Sequence, residues 1–193
     1  MYKIKKLIEK YTNEIIIERN KKNTKTNGSM GELLWDGFSQ QSTNIKFGHV
    51  IEKSFNDIIP EDYRLPLTHI YLTGKTTQTQ LDIIFRKENT VYYFESKNNI
   101  NLDTEKMPAC LDKISRVKDC LEELYPQCFV VAKIFTARFS NVQDISKKFF
   151  KNGLTSDKVI GYNDFFDIVG ETHVNEEDWH KIIRGVSEHI ATA

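Results

Sequence analysis

From Ile4 onward the chain places Leu7, Ile8, Tyr11 and Ile15 on one helical face with lysines between them, which predicts an amphipathic helix to about Arg19. Residues 20–31 carry almost no apolar side chain and predict a flexible loop or arm with no core of its own. Helical spacing returns over residues 42–59 through Phe47, Ile51, Phe55, Ile58 and Ile59, and Pro60 ends it. Three strand-like segments follow at 68–72, 78–85 and 91–97, the last two rich in β-branched and aromatic residues. Residues 104–125 resume the helical period (Met107, Leu111, Ile114, Val117, Leu121, Leu124), and 128–135 is a nearly continuous apolar run suited to a central strand. Further helices are predicted over 142–150, 162–169 and 176–190. Strands interleaved with helices, with a strand-helix-strand step over 91–135, predict an α/β fold: a central mixed β-sheet flanked by helices, preceded by an N-terminal helix and arm.

At 193 residues, 39% of them hydrophobic, the chain suits a single domain with a sizeable core and is unlike collagen, coiled coil or a disordered polymer. Within it, 1–31 is a basic helix and arm, 42–135 a core and 136–193 a C-terminal helical part. The longest apolar runs, such as 15–17 and 129–132, fall far short of the roughly 20 residues of a membrane helix, so no membrane partner is expected. The first residues lack the apolar stretch of a secretory signal, and a cytoplasmic product is expected. Cys110, Cys120 and Cys128 form no CxxC pair, which argues against a disulfide framework or a zinc ribbon. The 27 basic and 27 acidic side chains cancel, but residues 1–27 hold eight basic against three acidic ones. A solvated loop and a phosphate-contacting arm carrying Lys21, Lys22 and Lys25 both account for that bias.

Candidate chemistry lies in Gln80-Leu81-Asp82-Ile83-Ile84-Phe85 and Val91-Tyr92-Tyr93-Phe94-Glu95-Ser96-Lys97, where three charged residues interrupt apolar strands. If Glu88-Asn89 is a tight hairpin turn, paired residues have numbers summing to 177, which sets Asp82 opposite Glu95 on one face. Lys97 joins them there. Leu81, Ile83, Phe85, Tyr92 and Phe94 form the other, better-buried face, and the charged face opens toward a cleft. Opposed Cβ atoms lie about 4.5–5.5 Å apart. Two carboxylates this close repel each other and take up a proton or a cation, and hard oxygen ligands suit Mg2+, with Mn2+ as a substitute. Such an ion acidifies bound water and stabilises charge on a phosphoryl oxygen, while Lys97 orients or deprotonates that water. Glu52, on the helix 42–59 four residues after Gly48, is a possible fourth member or an ordinary solvated residue.

This arrangement resembles the PD-(D/E)xK nuclease family, in which an acid on one strand precedes Glu/Asp-x-Lys on the next, often with a glutamate from an earlier helix. The match is Asp82, then Glu95-Ser96-Lys97, with Glu52 as the helical acid. Roughly three acid-x-Lys triplets are expected by chance in such a composition, so the triplet counts only through its context. It is the one such triplet in the chain, and it ends an aromatic-rich strand. Leu81 stands where the family often has proline. The resemblance covers residues 42–135 and implies a restriction-endonuclease-like core. It also implies that Asp82, Glu95 and the Ser96 carbonyl hold Mg2+, that Lys97 addresses the attacking water, and that Glu52 binds a second ion or a water.

The expected activity is that of a Mg2+-dependent, sequence-specific endonuclease acting on double-stranded DNA, similar to a small type II restriction enzyme. Palindromic sites would favour a homodimer. A junction resolvase or repair nuclease shares the chemistry, and a non-catalytic nucleic-acid-binding or protein-interaction module is the rival outside it. Asn98, Asn99 and Asn101 follow Lys97 directly; their amides suit adenine, though a plain turn explains them nearly as well. Thr73-Gly74-Lys75-Thr76 is not a nucleotide-binding loop, because His69 stands where its first glycine belongs, so no nucleotide cofactor is expected. Lys75, Thr76, Thr77 and Gln78 are instead candidates for a DNA phosphate. The five histidines lack zinc-ligand spacing. On the helix 104–125, Lys106, Lys113, Arg116 and Lys118 are diluted by acids and read as a solvated face.

Overall fold

A computed structural model describes residues 2–23, 40–72, 76–97, 100 and 105–192. The chain divides into two compact units, Met1–Ile58 with Val174–Ala193, and Ile59–His173. The C-terminal helix is therefore grouped with the N-terminal helices instead of with residues 136–173.

The first unit is helical: α1 (Lys3–Asn23), α2 (Gln40–Ile58) and α5 (Glu176–Thr192). Buried Ile4, Ile8, Tyr11 and Thr12 form the α1 stripe, and Val50, Ile51, Ser54, Phe55 and Ile58 that of α2. From α5, Trp179 meets Phe55 edge-on at 6.1 Å. Asn175 starts α5 by accepting the Asp178 N–H on Oδ1 at 2.8 Å, an N-cap that satisfies one orphan donor. The sequence predicted that α1 ends near Arg19, but it runs to Asn23, because Asn20-Lys21-Lys22-Asn23 contains no residue that breaks a helix. The remainder of the expected arm, residues 24–31, lies outside the described residues.

The second unit is built on a mixed four-stranded sheet in the order β3 (Ile83–Lys87), β4 (Thr90–Ser96), β5 (Phe129–Phe135), β6 (Val159–Ile160). β3 and β4 are antiparallel, and β4, β5 and β6 run parallel. The helix α3 (Lys106–Leu124) forms the crossover between β4 and β5. Its buried stripe Met107, Cys110, Ile114, Val117 and Leu121 joins Val91, Tyr93 and Ile84 in one cluster. The alternate residues Phe85, Phe94 and Phe135 pack instead on Phe165 of α4 (Tyr162–Val169), with ring centroids 5.6–5.9 Å apart. The sheet is thus flanked by helices in an α/β arrangement. Gly161 precedes α4 where a Cβ would lie 2.4 Å from the Ser140 carbonyl oxygen, so only glycine fits that close approach.

Three elements depart from the sequence reading. Residues 78–85 are two strands: β2 (Gln78–Gln80) pairs with β1 (His69–Tyr71) in a separate ribbon, and the chain breaks at Leu81-Asp82 before β3 joins the main sheet. Residues 142–150 form two 3-10 turns, Val142–Asp144 and Lys147–Phe149, in place of a helix. There Asp144 accepts the Asn141 N–H at 3.0 Å, and such local side-chain bonds compete with helix formation. The two-residue β6, too short for a periodic signal, closes the far edge. Among the described residues no helix is long and apolar enough to cross a membrane.

Candidate functional site

The β3–β4 hairpin turns through Glu88 and Asn89, with Glu88 at φ 53°, a left-handed conformation that non-glycine residues seldom adopt. Its register runs from Lys87↔Thr90 to Ile83↔Phe94, the pairs whose numbers sum to 177. One step further sets Asp82 against Glu95, but Asp82 leaves the ladder and its Oδ2 accepts the Ser96 N–H at 2.9 Å. The strand break therefore frees the Asp82 carboxylate to cap the end of β4 while holding it beside Glu95.

Glu95 is only 4% exposed. Its Oε1 accepts the Lys97 ammonium at 2.7 Å, and its Oε2 accepts the Lys113 ammonium at 2.6 Å together with a short bond from the Tyr93 hydroxyl. Lys97 also donates to the Ser96 carbonyl at 3.2 Å. Tyr93 reaches Glu95 because residues i and i+2 of a strand share a face, and Lys113 does so because α3 packs on that face. Two cations and two carboxylates thus balance in a low-dielectric pocket, the condition under which buried charge is tolerated.

Protonation follows from this arrangement. Burial raises the Asp82 carboxyl above the usual aspartate range and the Glu95 charge raises it further, against the pull of Lys113, Lys97 and the Ser96 N–H. Burial also pushes Glu95 upward, but the Lys97 charge and hydrogen bonds from Lys113, Lys97 and Tyr93 outweigh it and hold Glu95 below its usual value. Lys97 loses to burial but gains more from the charge and hydrogen bond of Glu95, so its ammonium is held above the ordinary lysine value. The Tyr93 hydroxyl is raised by burial, then by Glu95, and stays protonated. Cys110 lies beside these charges with its thiol pushed up by burial.

The structure thus brings Asp82, Glu95, Ser96 and Lys97 together. Glu52 lies on α2 in the first unit, half-buried, with its backbone carbonyl accepting the Asn56 amide at 3.1 Å. Lys21 and Lys22 fall in the last turn of α1, and Lys25, Lys75, Asn98, Asn99 and Asn101 lie outside the described residues. Two expectations are corrected. Glu95, expected on a face that opens to a cleft, is buried on the side of the sheet where α3 packs, while Asp82 and Lys97 keep partial exposure; Leu81, expected on the other face, belongs to the α3 cluster, because the break at Leu81-Asp82 interrupts the alternation.

Sequence reading set Lys113 on a solvated face, whereas it pairs with buried Glu95, and it gave Tyr93 no role. The signal for Lys113 was its place three residues after Cys110 and four before Val117, at the edge of the buried stripe of α3. For a divalent cation, Asp82, Glu95 and the Ser96 carbonyl form an all-oxygen donor set. Among the described residues no group of three or more His, Cys, Asp or Glu side chains converges. Two carboxylates with water filling the remaining positions suit Mg2+, which keeps much of its hydration shell. The raised Asp82 carboxyl is the group whose ionisation a cation would restore. No known family model matches the sequence, and comparisons with curated proteins and with solved structures find no match.

Proposed function

We propose that this chain is a Mg2+-dependent endonuclease that hydrolyses phosphodiester bonds in double-stranded DNA at specific sequences, with a core of the restriction-endonuclease kind. The observation that carries this reading is the meeting of Asp82 and buried Glu95 across the end of one hairpin, with the Lys97 ammonium on Glu95. Asp82, Glu95 and the Ser96 carbonyl would hold the metal, with Mn2+ as a substitute. When bound, the ion supplies Lewis-acid charge and a water acidic enough to attack at neutral pH.

The residues of the chain do the positioning. Glu95 stays ionised because Lys97, Lys113 and Tyr93 all donate to it. Lys97, held as an ammonium, is suited to orient the attacking water and to stabilise charge on the phosphate, and less suited to remove a proton. Lys113 is a positioning residue, fixing Glu95 from the opposite oxygen. Symmetric DNA would be met by a homodimer. The second reading, a non-catalytic nucleic-acid-binding or interaction module, is favoured by one observation: both Glu95 oxygens already have ammonium partners, as in a purely structural ion network.

The test is incubation of the intact protein with unmethylated phage DNA and Mg2+, alongside EDTA, Lys97→Ala and a branched-junction substrate. Discrete bands are expected, lost with EDTA and reduced at least about a hundredfold by the substitution. Cutting of junctions alone would move the reading to a resolvase. No cutting of either substrate with Mg2+ or Mn2+ would retire the nuclease in favour of the module.

A further inference from the structure

The ribbon β1–β2 has no part in the chemistry above, yet the chain connects it directly to Asp82. Its register pairs His69 with Gln80, Ile70 with Thr79 and Tyr71 with Gln78. Strand alternation therefore puts His69, Gln80, Tyr71 and Gln78 on one face, and all four are exposed, Tyr71 to 62%. The other face is anchored by Ile70, which belongs to the buried cluster containing Val117 and Leu121 of α3.

The outer face carries no charged side chain. Lysine and glutamate are the common surface residues of an exposed ribbon, and 28% of this chain is charged, yet neither ribbon strand contains a lysine, arginine, aspartate or glutamate. In their place are two carboxamides, an imidazole and a phenol. The ribbon is also held in position. The Leu81 N–H donates to the Thr68 carbonyl at 2.9 Å and closes its base, leaving Gln80 at most about 7 Å of chain from Asp82. At the other end the Cys120 thiol lies 3.8 Å from the Tyr71 carbonyl oxygen, seven residues and so about 10 Å along α3 from Lys113.

We propose that this face reads base edges of double-stranded DNA in the major groove, with Gln78 and Gln80 selecting A·T pairs close to the phosphate presented to Asp82 and Glu95. The choice of occupant rests on the nuclease reading. A major groove admits a two-stranded ribbon, and a glutamine carboxamide pairs bidentately with adenine N6 and N7. A face without carboxylates approaches the polyanion at no repulsive cost, and its lack of lysines leaves it to read bases and not phosphates. Gln78 thereby changes from a phosphate contact to a base contact.

Binding selection from a randomised duplex library, with the intact protein in Ca2+ and no Mg2+, tests this apart from catalysis. Wild type is expected to recover a consensus containing at least one A·T pair. In Gln78→Ala/Gln80→Ala that preference falls about tenfold or more, while affinity for unrelated duplex stays within about twofold. A thermal melt confirms that the variant is folded, and the single substitutions replace it if it is not. An unchanged consensus in the variant, or no base preference in wild type, overturns the proposal. Cleavage in Mg2+ is scored separately: cutting with an unchanged consensus retires the ribbon and keeps the nuclease, whereas glutamine-dependent selection without cutting does the reverse.

Discussion

The two faces of the main sheet are made from alternate residues of the same strands, yet they are buried in different ways. On one, Phe85, Phe94 and Phe135 surround Phe165, and stability there depends on area and shape alone. On the other, Val91 and Tyr93 lead along β4 to Glu95, whose carboxylate is tolerated only because Lys97, Lys113 and Tyr93 donate to it. The aromatic face is indifferent to protonation, and the polar face is bound to it. A sheet can therefore carry a rigid structural side and a chemically adjustable side one residue apart.

The largest effect that separates the faces is Phe165→Ala. It is expected to cost about 3–5 kcal/mol in urea unfolding, with no new dependence on pH, because it removes a buried ring and leaves a cavity. A pH-dependent loss would show that the faces are coupled. Lys113→Met keeps much of the side-chain volume but strips Oε2 of its ammonium, and about 1–3 kcal/mol of stability should be lost at neutral pH. The sign follows from Glu95: its folded pKa is depressed, so its contribution is present above the unfolded value and disappears as pH falls through the folded one. The difference between wild type and Lys113→Met should therefore shrink in acid, and a constant difference down to pH 2 would assign Lys113 to packing.

Smallest, and opposite in sign, is Asp82→Asn. Asp82 is raised in the folded state, so its ionised form carries a cost at neutral pH that protonation relieves. The asparagine oxygen can still accept the Ser96 N–H, and a small gain in stability is expected at pH 7, fading as pH falls through the raised Asp82 value toward 3.8. Paired with lost Mg2+-dependent cleavage, that gain would mark a site held at some expense of stability. A net loss at pH 7 would mean that the carboxylate is part of the structural network.

The hairpin carrying the site was legible because its information is local: a polar two-residue turn between strands of period two leaves one register that keeps the phenylalanines on the same face. Lys113 was not legible. Its charge blends into an amphipathic helix, and only the packing of α3 decides that this lysine points at Glu95 while Arg116 and Lys118 pair with Asp112 and Glu122 of the same helix. The break at Leu81-Asp82 was hidden for a related reason, since a segment that reads as one strand over 78–85 cannot reveal that its two halves pair with different partners.

The sequence by itself determined the α/β order, the hairpin register that ends beside Asp82 and Glu95, and the placing of Lys97 two residues on, because these follow from short-range periodicity. Tertiary structure decided that Glu95 is buried with two ammonium partners, that the ribbon presents His69, Tyr71, Gln78 and Gln80 outward, and that the C-terminal helix is grouped with the first two. Those outcomes depend on which face of a helix meets which face of a sheet, a choice settled by contacts between residues far apart in the chain.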